Sequence, residues 1–288
     1  MTDGGGGQRG PFGIRVLEEG DLAFVLDMLS DVFGKSFDLE WFRWKHRSGP
    51  WGQSRGWVAH DGLGLLGVRL LLPWRFRSGE EVFHALRPCD TVTAPRARGL
   101  GVFRSLTERA IASVSDDTDF LFNTPNSQSR PGYKQMGFVE WESVPQRVAP
   151  VWSRREALTD NPVVRRELGL RTAVDDEFLR WRYTDCPTAS YLLFGLEDEA
   201  AGMVCRLRSW HGLRLMVVSE LWGDRRQRAR LLRGTAHETG ARLAWMAGPP
   251  QSGIPSIQRA STLVTRYDLR SDPMGPVKLS MGDLEDVL

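Results

Sequence analysis

The sequence predicts a mixed α/β fold, α+β in its arrangement, that is built from two related units. Its 288 residues are long for one ordinary domain and suit two domains of about 100–150 residues each. Strand-like alternation and helix-like spacing of apolar residues follow one another along the whole chain. A short pattern of rings and cations also occurs once in each half, as WFRWKH at 41–46 and EFLRWRY at 177–183. Together these observations favour a duplicated unit.

The elements of the first unit follow in order from residue 12. Alternating apolar and polar residues in 12–21 predict a strand, and Asp21 can cap the helix that begins after it. Helical spacing of apolar residues continues to Phe33, and a second helix begins at Asp38. Three strands are predicted next, over 56–62, 65–79 and 81–93, and then a glycine-rich turn over 95–101 and a helix over 102–114. A strand over 119–123, a short helix over 128–137 and a last strand over 138–144 complete the unit.

The same order begins again after about residue 145. The strand sequence LLGVR at 65–69 corresponds to AAGMVCR at 200–206. A strand, a helix and a strand then follow over 215–223, 224–240 and 242–248. We therefore predict a tandem duplication. The alternative is a pair of unrelated helices that each bury a tryptophan.

Composition and charge narrow the class of protein. The chain is 41% apolar and 26% charged, as soluble globular proteins are. Its formal charge of +2 predicts neither a nucleic-acid-binding nor a membrane-surface protein. The three cysteines form no CxxC pair, which disfavours disulfides and a metal site and fits the reduced cytoplasm. The glycine-rich segment 1–12 predicts a flexible tail, and no apolar run reaches the roughly 18–20 residues of a membrane span.

The sequence PRARGLGVFRSL at 95–106 predicts an anion-binding turn between a strand and a helix. Free N–H groups and the helix dipole attract anions at a helix start, and glycines let the backbone come close to the ligand. Arg98 or Arg96 can add a bidentate contact to phosphate. The turn lacks the lysine of a Walker loop and the third glycine of the dinucleotide-binding fingerprint.

The order of elements and two motifs together resemble the GNAT superfamily of acyl-CoA-dependent N-acyltransferases. The family's pyrophosphate turn, P-x-x-R-G-x-G-[apolar], is matched by Pro95, Arg98, Gly99, Gly101, Val102 and Leu106. Phe103 departs from the small residue of the family, and a second register from Arg96 would put Arg104 at an apolar helix position. The downstream pattern N-x-x-[AS]-x-x-x-Y-x-x-x-G-F is matched by Asn126, Ser129, Tyr133, Gly137 and Phe138.

The resemblance implies two GNAT-like domains, each with a mixed, mostly antiparallel central sheet flanked by helices. It covers about 13–145, the expected catalytic domain with the acyl-CoA site. Over 146–288 it depends on the internal repeat alone. There GDRRQRARLL replaces the glycine turn, so this half is expected to be a degenerate domain that binds no CoA.

Cofactor contacts follow from the resemblance residue by residue. Pantetheine is expected to pair with the backbone of Thr91, Val92 and Thr93. Pyrophosphate is expected at the turn and the helix start formed by Arg98, Gly99, Leu100, Gly101, Val102, Phe103 and Arg104. Asn126 and Ser129 are expected near the other side of the cofactor.

The implied reaction is attack of an amine on a thioester, which needs a neutral amine, an oxyanion donor and a proton for the thiolate. The resemblance assigns Tyr133 as the general acid; the alternative is a tyrosine that packs the end of its short helix. A strand N–H near Thr93 would polarise the carbonyl. The base stays open between Asp90, the further candidates Glu140 and His84, and solvent; Asp90 could equally be a solvated turn carboxylate.

The expected function is therefore N-acyl transfer from acetyl-CoA or another acyl-CoA to a small amine, by direct attack in a ternary complex. An amino sugar and a natural-product intermediate are candidate acceptors; neither nucleic acid nor membrane is an expected partner. A catalytically silent acyl-CoA-binding or regulatory module is one alternative. The other is an aminoacyl-tRNA-dependent transferase of the tandem-GNAT type, and the intact glycine turn argues against it.

Overall fold

One continuous sheet passes through both halves of the chain in the computed structural model, which describes residues 12–114, 116–165, 167–197, 199–249, 255–270 and 275–284. Residues 1–11 of the expected flexible tail lie outside the described part. Within it, fourteen strands belong to this sheet.

The elements of the first half agree in order with the prediction. Its strands are β1 Gly13–Val16, β2 Arg55–Asp61, β3 Gly64–Ser78, β4 Glu81–Thr93, β5 Phe120–Asn123 and β6 Val139–Pro150. Its helices are α1 Leu22–Phe33, α2 Leu39–Arg47, α3 Val102–Ala112 and α4 Arg130–Gln135. A 3-10 turn at Pro95–Ala97 joins β4 to the glycines before α3.

The second half has a partly similar order of elements. Its strands are β7 Leu158–Thr159, β8 Leu170–Thr172, β9 Leu192–Leu196, β10 Gly202–Trp210, β11 Leu213–Trp222, β12 Leu243–Ala247, β13 Ile257–Asp268 and β14 Val277–Lys278. Its helical elements are α5 Asp176–Leu179, a π-helical turn Arg180–Thr184, α6 Arg225–Thr239 and α7 Met281–Leu284.

Most neighbouring strands are antiparallel, as the predicted fold class requires. The parallel pair β4–β5 is joined only at Ala85–Phe120 and Leu86–Leu121. β11 and β12 form the corresponding parallel pair in the second half, joined from Leu215–Leu243 to Val217–Trp245. In each pair the first strand continues beyond its partner, so a gap opens between the two strands.

The two halves exchange a strand. β13 of the second half lies between β5 and β6, and β6 of the first half lies between β13 and β12. The expected boundary at 145/146 falls inside β6, which pairs with β13 from Ile257–Val148 to Arg266–Val139. Each half therefore completes its sheet with a strand of the other, and the division into 13–145 and 146–288 stays a prediction about two related units.

The repeated ring-and-cation pattern meets itself in the core. Trp44 Nε1 donates to the backbone oxygen of Trp181 at 2.6 Å, and Trp181 Nε1 donates to that of Trp44 at 2.8 Å. The two rings stack with their centroids 5.8 Å apart. This reciprocal contact places α2 and the π-helical turn side by side. α3 and α4 cover the opposite face of the sheet in the first half, and α6 covers it in the second.

Candidate active site

The turn before α3 presents unobstructed backbone. Gly99 and Gly101 have φ of +82° and +80°, a conformation that glycine adopts without strain. A Cβ at either position would meet no atom within 4 Å. No side chain caps the start of α3, so its first N–H groups, at 102–104, are left for a ligand. Among the predicted donors, Leu100 differs, because its N–H already donates to the oxygen of Ala97 at 3.3 Å.

The two arginines of the turn have different surroundings. Arg96 donates to Asp61 at 2.6 Å and so ties the turn to the end of β2. Arg98 is exposed and forms no ion pair within the described part of the chain. Only Arg98 can therefore turn toward an anion without breaking an existing pair, which favours the first of the two motif registers.

Phe103 and Arg104, the next two residues, are held on opposite sides of α3. Arg104 pairs with Glu108 one turn later, at 2.9 Å. The Phe103 ring lies edge to face with Tyr133, with centroids 5.4 Å apart, and would contact a Cβ placed at Gly132 at 3.0 Å. Phe103, which stands where the family has a small residue, thus packs α3 against α4. Its backbone remains in the first turn of α3.

Where the pantetheine contacts are predicted, β4 has a bulge on its β3 side and no partner strand on its β5 side. Its register with β3 changes between Val68–Val92 and Leu70–Cys89, so Asp90 and Thr91 form the bulge. No strand pairing to β5 follows Leu86. The backbone of Thr91, Val92 and Thr93 therefore lies along a strand edge that faces the gap.

Asp90 is a buried member of an ion pair. Its Oδ2 lies 2.7 Å from Lys45 Nζ and 3.2 Å from His46 Nε2, and its φ is +44°. Burial alone raises the pKa of Asp90, but Lys45 and His46 outweigh burial and hold that pKa well below its ordinary value. A carboxylate so stabilised is a poor proton acceptor. The structure thus disfavours Asp90 as the base, and it also overturns the expectation of a solvated turn carboxylate.

The same cluster does not fit a metal ion. His46, Cys89 and Asp90 offer ligand atoms within 4.8 Å of one another. However, the Lys45 ammonium already neutralises Asp90. Burial raises the pKa of Cys89 and lowers that of His46, so both are neutral near pH 7. Metal binding would need a thiolate in place of this thiol.

Tyr133 lies beneath α3 with a cation at its hydroxyl. Arg69 Nη1 donates to the Tyr133 oxygen at 2.6 Å, and Arg69 Nη2 donates to Thr107. Both Arg69 and Tyr133 are buried. Arg69 is a residue that the sequence reasoning missed as a functional candidate; its signal is a lone arginine inside the apolar strand run LLGVRLLLPW.

Asn126 and Ser129 shape the start of α4. Asn126 Oδ1 accepts from the backbone N–H of Gln128 at 3.0 Å and from that of Ser129 at 2.9 Å. The N-x-x-S spacing is thus satisfied by a turn that leads into the helix carrying Tyr133. This positions Tyr133 whether or not the two side chains also touch a cofactor.

The two further candidates for the base lie away from the gap. His84 is exposed near the start of β4, and its N–H donates to Asp119 at 2.7 Å. It lies six positions before Asp90, roughly 20 Å away along an extended chain. Glu140 is exposed and pairs with Arg130 at 2.5 Å. Neither geometry supports a role as base.

The start of α6 differs from that of α3 although it occupies the corresponding place. Asp224 accepts from the N–H of Gln227 at 2.9 Å, and the Gln227 side chain accepts from the N–H of Asp224 at 2.7 Å. Glu167 accepts from the N–H of Gly223 at 3.0 Å and pairs with Arg228. The helix start is therefore capped, and a carboxylate of the chain itself is bound beside it.

No described helix is long and apolar enough to cross a lipid bilayer.

Comparison with known proteins agrees with this geometry. The sequence matches no curated protein. A solved structure from Anabaena variabilis, described as a GCN5-related N-acetyltransferase, has a TM-score of 0.70 at 13% identity and matches 90% of this chain and 73% of its own. Another so described, from Kribbella flavida, has a TM-score of 0.67 at 14% identity, with 90% and 72% matched.

At such identities these two structures show the fold alone. A likeness in sequence comes from residues 13–140, which match the family model of the acetyltransferase (GNAT) domain. The match includes the glycine turn, the bulge of β4 and Tyr133. Residues 13–140 of this chain are therefore similar to the acetyltransferase (GNAT) domain, and residues 141–288 lie outside that match.

Proposed function

We propose that this protein is an acyl-CoA-dependent N-acyltransferase, most simply an acetyltransferase, that acts on the amine of a small acceptor. The uncapped start of α3, beside the gap between β4 and β5, is the observation that carries the proposal. It offers N–H groups, an unpaired arginine and an open strand edge in one place. A phosphate-bearing thioester such as acetyl-CoA needs these three features.

The residues around the gap suit direct transfer in a ternary complex. The N–H groups at 102–104 and Arg98 would hold the pyrophosphate, and the backbone of 91–93 would align the pantetheine. A β4 N–H near Thr93 would polarise the thioester carbonyl. Tyr133 would donate a proton to the leaving thiolate. Arg69 at 2.6 Å would stabilise the negative charge that develops on the Tyr133 oxygen.

The amine loses its proton to solvent in this proposal, because Asp90 is held as an ion pair with Lys45. The cluster of Lys45, His46 and Asp90 instead fixes the bulge of β4. The bulge in turn directs the backbone toward the gap.

We further propose one acyl-CoA site per chain. At the corresponding place in the second half, the carboxylate of Glu167 accepts the N–H of Gly223 and is paired with Arg228. A pyrophosphate there would have to displace an anion already held by three groups, since Arg171 also pairs with Glu167.

A matched pair of variants at Gly101 tests the acyl-CoA site. Aspartate and asparagine both tolerate positive φ and have the same shape, but only aspartate adds negative charge. By calorimetry, we expect Gly101→Asp to weaken acetyl-CoA binding at least tenfold, about 1.4 kcal/mol, relative to Gly101→Asn. Equal affinities in the two variants would place the pyrophosphate elsewhere.

Turnover separates this proposal from its alternatives. Thioester consumption is measured with acetyl-CoA and a panel of amino sugars and other small primary amines. Binding without turnover on any amine would favour a silent acyl-CoA-binding module. If the wild-type protein does not bind acetyl-CoA, the acyl-CoA proposal is wrong and the aminoacyl-tRNA-dependent alternative remains.

A further inference from the structure

A cavity of about 790 Å³ lies in the second half of the molecule. Its walls come from the diverging ends of β11 and β12, from β6 and β8, and from the C-terminal segment 276–283. None of the residues assigned to acyl-CoA lines it. Ligand-binding cavities range from about 300 to 1,000 Å³, so this one has room for a small organic molecule.

Two polar side chains in the cavity wall have unused hydrogen-bonding capacity. Glu220 is 93% buried, because only 7% of its surface is exposed. Its Oε1 accepts from the Tyr183 hydroxyl at 2.6 Å and lies 2.9 Å from Ser280 Oγ, whose single proton is shared with Asp283 Oδ2 at 3.0 Å. Its Oε2 has no hydrogen bond from any described residue. Ser219, the bulge residue before it, is fully buried, and its Oγ also has no partner in the described part.

Charged groups of both signs lie around Glu220. Asp283 of α7 lies nearby, where its carboxylate is bound by Thr172 and Ser280. From the π-helical turn come the Tyr183 hydroxyl and Arg182, whose Nη2 donates to the Gly282 oxygen at 2.9 Å. Arg87 of β4 also reaches this group, because its Nη1 donates to the Asp283 backbone oxygen at 2.7 Å. Burial and Asp283 raise the pKa of Glu220 to about 8, so the empty site holds a proton near pH 7.

The cavity wall carries charges of both signs, and its cations include Arg77, Arg165 and Lys278 besides Arg171 and Arg228. Arg171 and Arg228 both line the cavity, and both are already paired with Glu167. Glu220 Oε2, once ionised, and Ser219 Oγ can each accept from a donor such as an ammonium group. An ammonium ion offers a positive charge and three N–H donors.

We propose that this cavity binds an organic ammonium ion, with Glu220 Oε2 as its counter-ion and Ser219 Oγ as a second acceptor. The ligand replaces the proton that Glu220 carries in the empty cavity. This site is separate from the gap between β4 and β5, so it would be a second small-molecule site of the chain.

Proton release by the wild-type protein is the first test. The probe is 1,6-diaminohexane, titrated at pH 7 in two buffers with different enthalpies of protonation, with 1,6-hexanediol as the neutral control. We expect the diamine to bind and to release about one proton per site, because an ionised Glu220 replaces a protonated one. The diol should bind at least tenfold more weakly. No diamine binding, equal binding of the diol, or binding without proton release would overturn the proposal.

Variants then locate the site. Glu220→Gln keeps the acceptor for Tyr183 but removes the charge, so we expect diamine binding to weaken at least tenfold. Asp176→Asn removes an exposed carboxylate from the cavity rim and should change diamine binding less than twofold. Unchanged binding in Glu220→Gln would contradict the assignment. If that variant does not fold, the proton-release result on the wild type decides.

Acyl-CoA binding distinguishes this site from the proposed active site. Glu220→Gln should retain acetyl-CoA affinity, and Gly101→Asp should retain diamine affinity. Loss of diamine binding in Gly101→Asp would place the diamine in the active-site gap and overturn the second site. If the wild-type protein binds the diamine but not acetyl-CoA, the proposed acyl-CoA site is wrong and the proposed ammonium site in the cavity still stands.

Discussion

Arg69 and Tyr133 show how a single pair links packing to chemistry. Arg69 is fully buried, with its guanidinium 4.8 Å from the Phe103 ring centroid and hydrogen-bonded to Tyr133 and Thr107. A buried cation without partners would destabilise the fold strongly. Tyr133 is therefore needed for stability as well as for the proposed proton transfer, and a test must separate the two roles.

Tyr133→Phe is expected to lower kcat at least 100-fold, the usual loss when a general acid is removed, while acetyl-CoA affinity changes less than twofold. The same variant should lose about 1–3 kcal/mol of unfolding free energy, because Arg69 loses a buried acceptor. Steady-state kinetics and urea unfolding at pH 7 measure the two effects. Phe138→Leu, a change in the same apolar cluster, should reduce stability without a comparable loss of kcat.

An unchanged kcat in Tyr133→Phe would remove Tyr133 from the role of acid. The alternative of a packing tyrosine at the end of its helix would then account for the residue. Equal losses of kcat in the two variants would point to the same conclusion.

Among the elements, α3 and α6 show what a strand-to-helix connection needs to bind an anion. Both helices follow a splayed strand in the two related units. α3 begins after open glycines and has no side-chain cap, whereas α6 is capped by Asp224 and faces Glu167. The glycine spacing makes the first of these predictable from sequence. The second is not, because Glu167 lies far from Gly223 along the chain and no local pattern indicates their contact.

The partners of Asp90 escaped prediction for the same reason. Lys45 and His46 lie at the end of α2, more than 40 positions before Asp90 along the chain. The helix spacing of α2 predicts that one of its faces is buried, but it does not say which strand residue that face meets. A position that looks like an exposed turn in sequence is thus the centre of a buried ion pair.

The contact between α2 and the π-helical turn offers a prediction about elements. Trp44→Phe and Trp181→Phe each remove an indole N–H and leave the partner's backbone oxygen without its donor. We expect each change to cost about 1–2 kcal/mol of unfolding free energy. The double variant should cost less than the sum by at least about 0.5 kcal/mol, because the two rings stack directly. Additive losses in urea unfolding would contradict this coupling.

At the scale of the whole molecule, the sequence predicts a duplication but does not predict the strand exchange. The repeated pattern at 41–46 and 177–183 indicates two units, and the strand order in each half supports this. Periodicity identifies β6 and β13 as strands but says nothing about which strand lies beside them. Their placement between strands of the other half makes one sheet from two units. Loss of either strand should therefore affect both halves.

The joined sheet also lets a buried group in the second half affect the stability of the whole chain. Folded Glu220 keeps its proton up to about pH 8, whereas an ordinary glutamate has a pKa of 4.5. Between these values the folded state binds more protons than the unfolded state, so stability must fall as pH rises. The maximum slope for one group is about 1.4 kcal/mol per pH unit. His46, whose pKa is lowered by burial, contributes an opposite slope below about pH 6.5.

Comparison with Glu220→Gln isolates the contribution of Glu220, because His46 is present in both proteins and cancels in the difference. We expect the unfolding free energy of the wild type, measured in urea at pH 5.0, 6.5 and 8.0, to fall relative to that of the variant as pH rises. The difference should change by about 1 kcal/mol or more per pH unit, and it should level off above pH 8. A difference independent of pH would mean that Glu220 is ionised in the folded protein, and the cavity would then already contain its counter-ion.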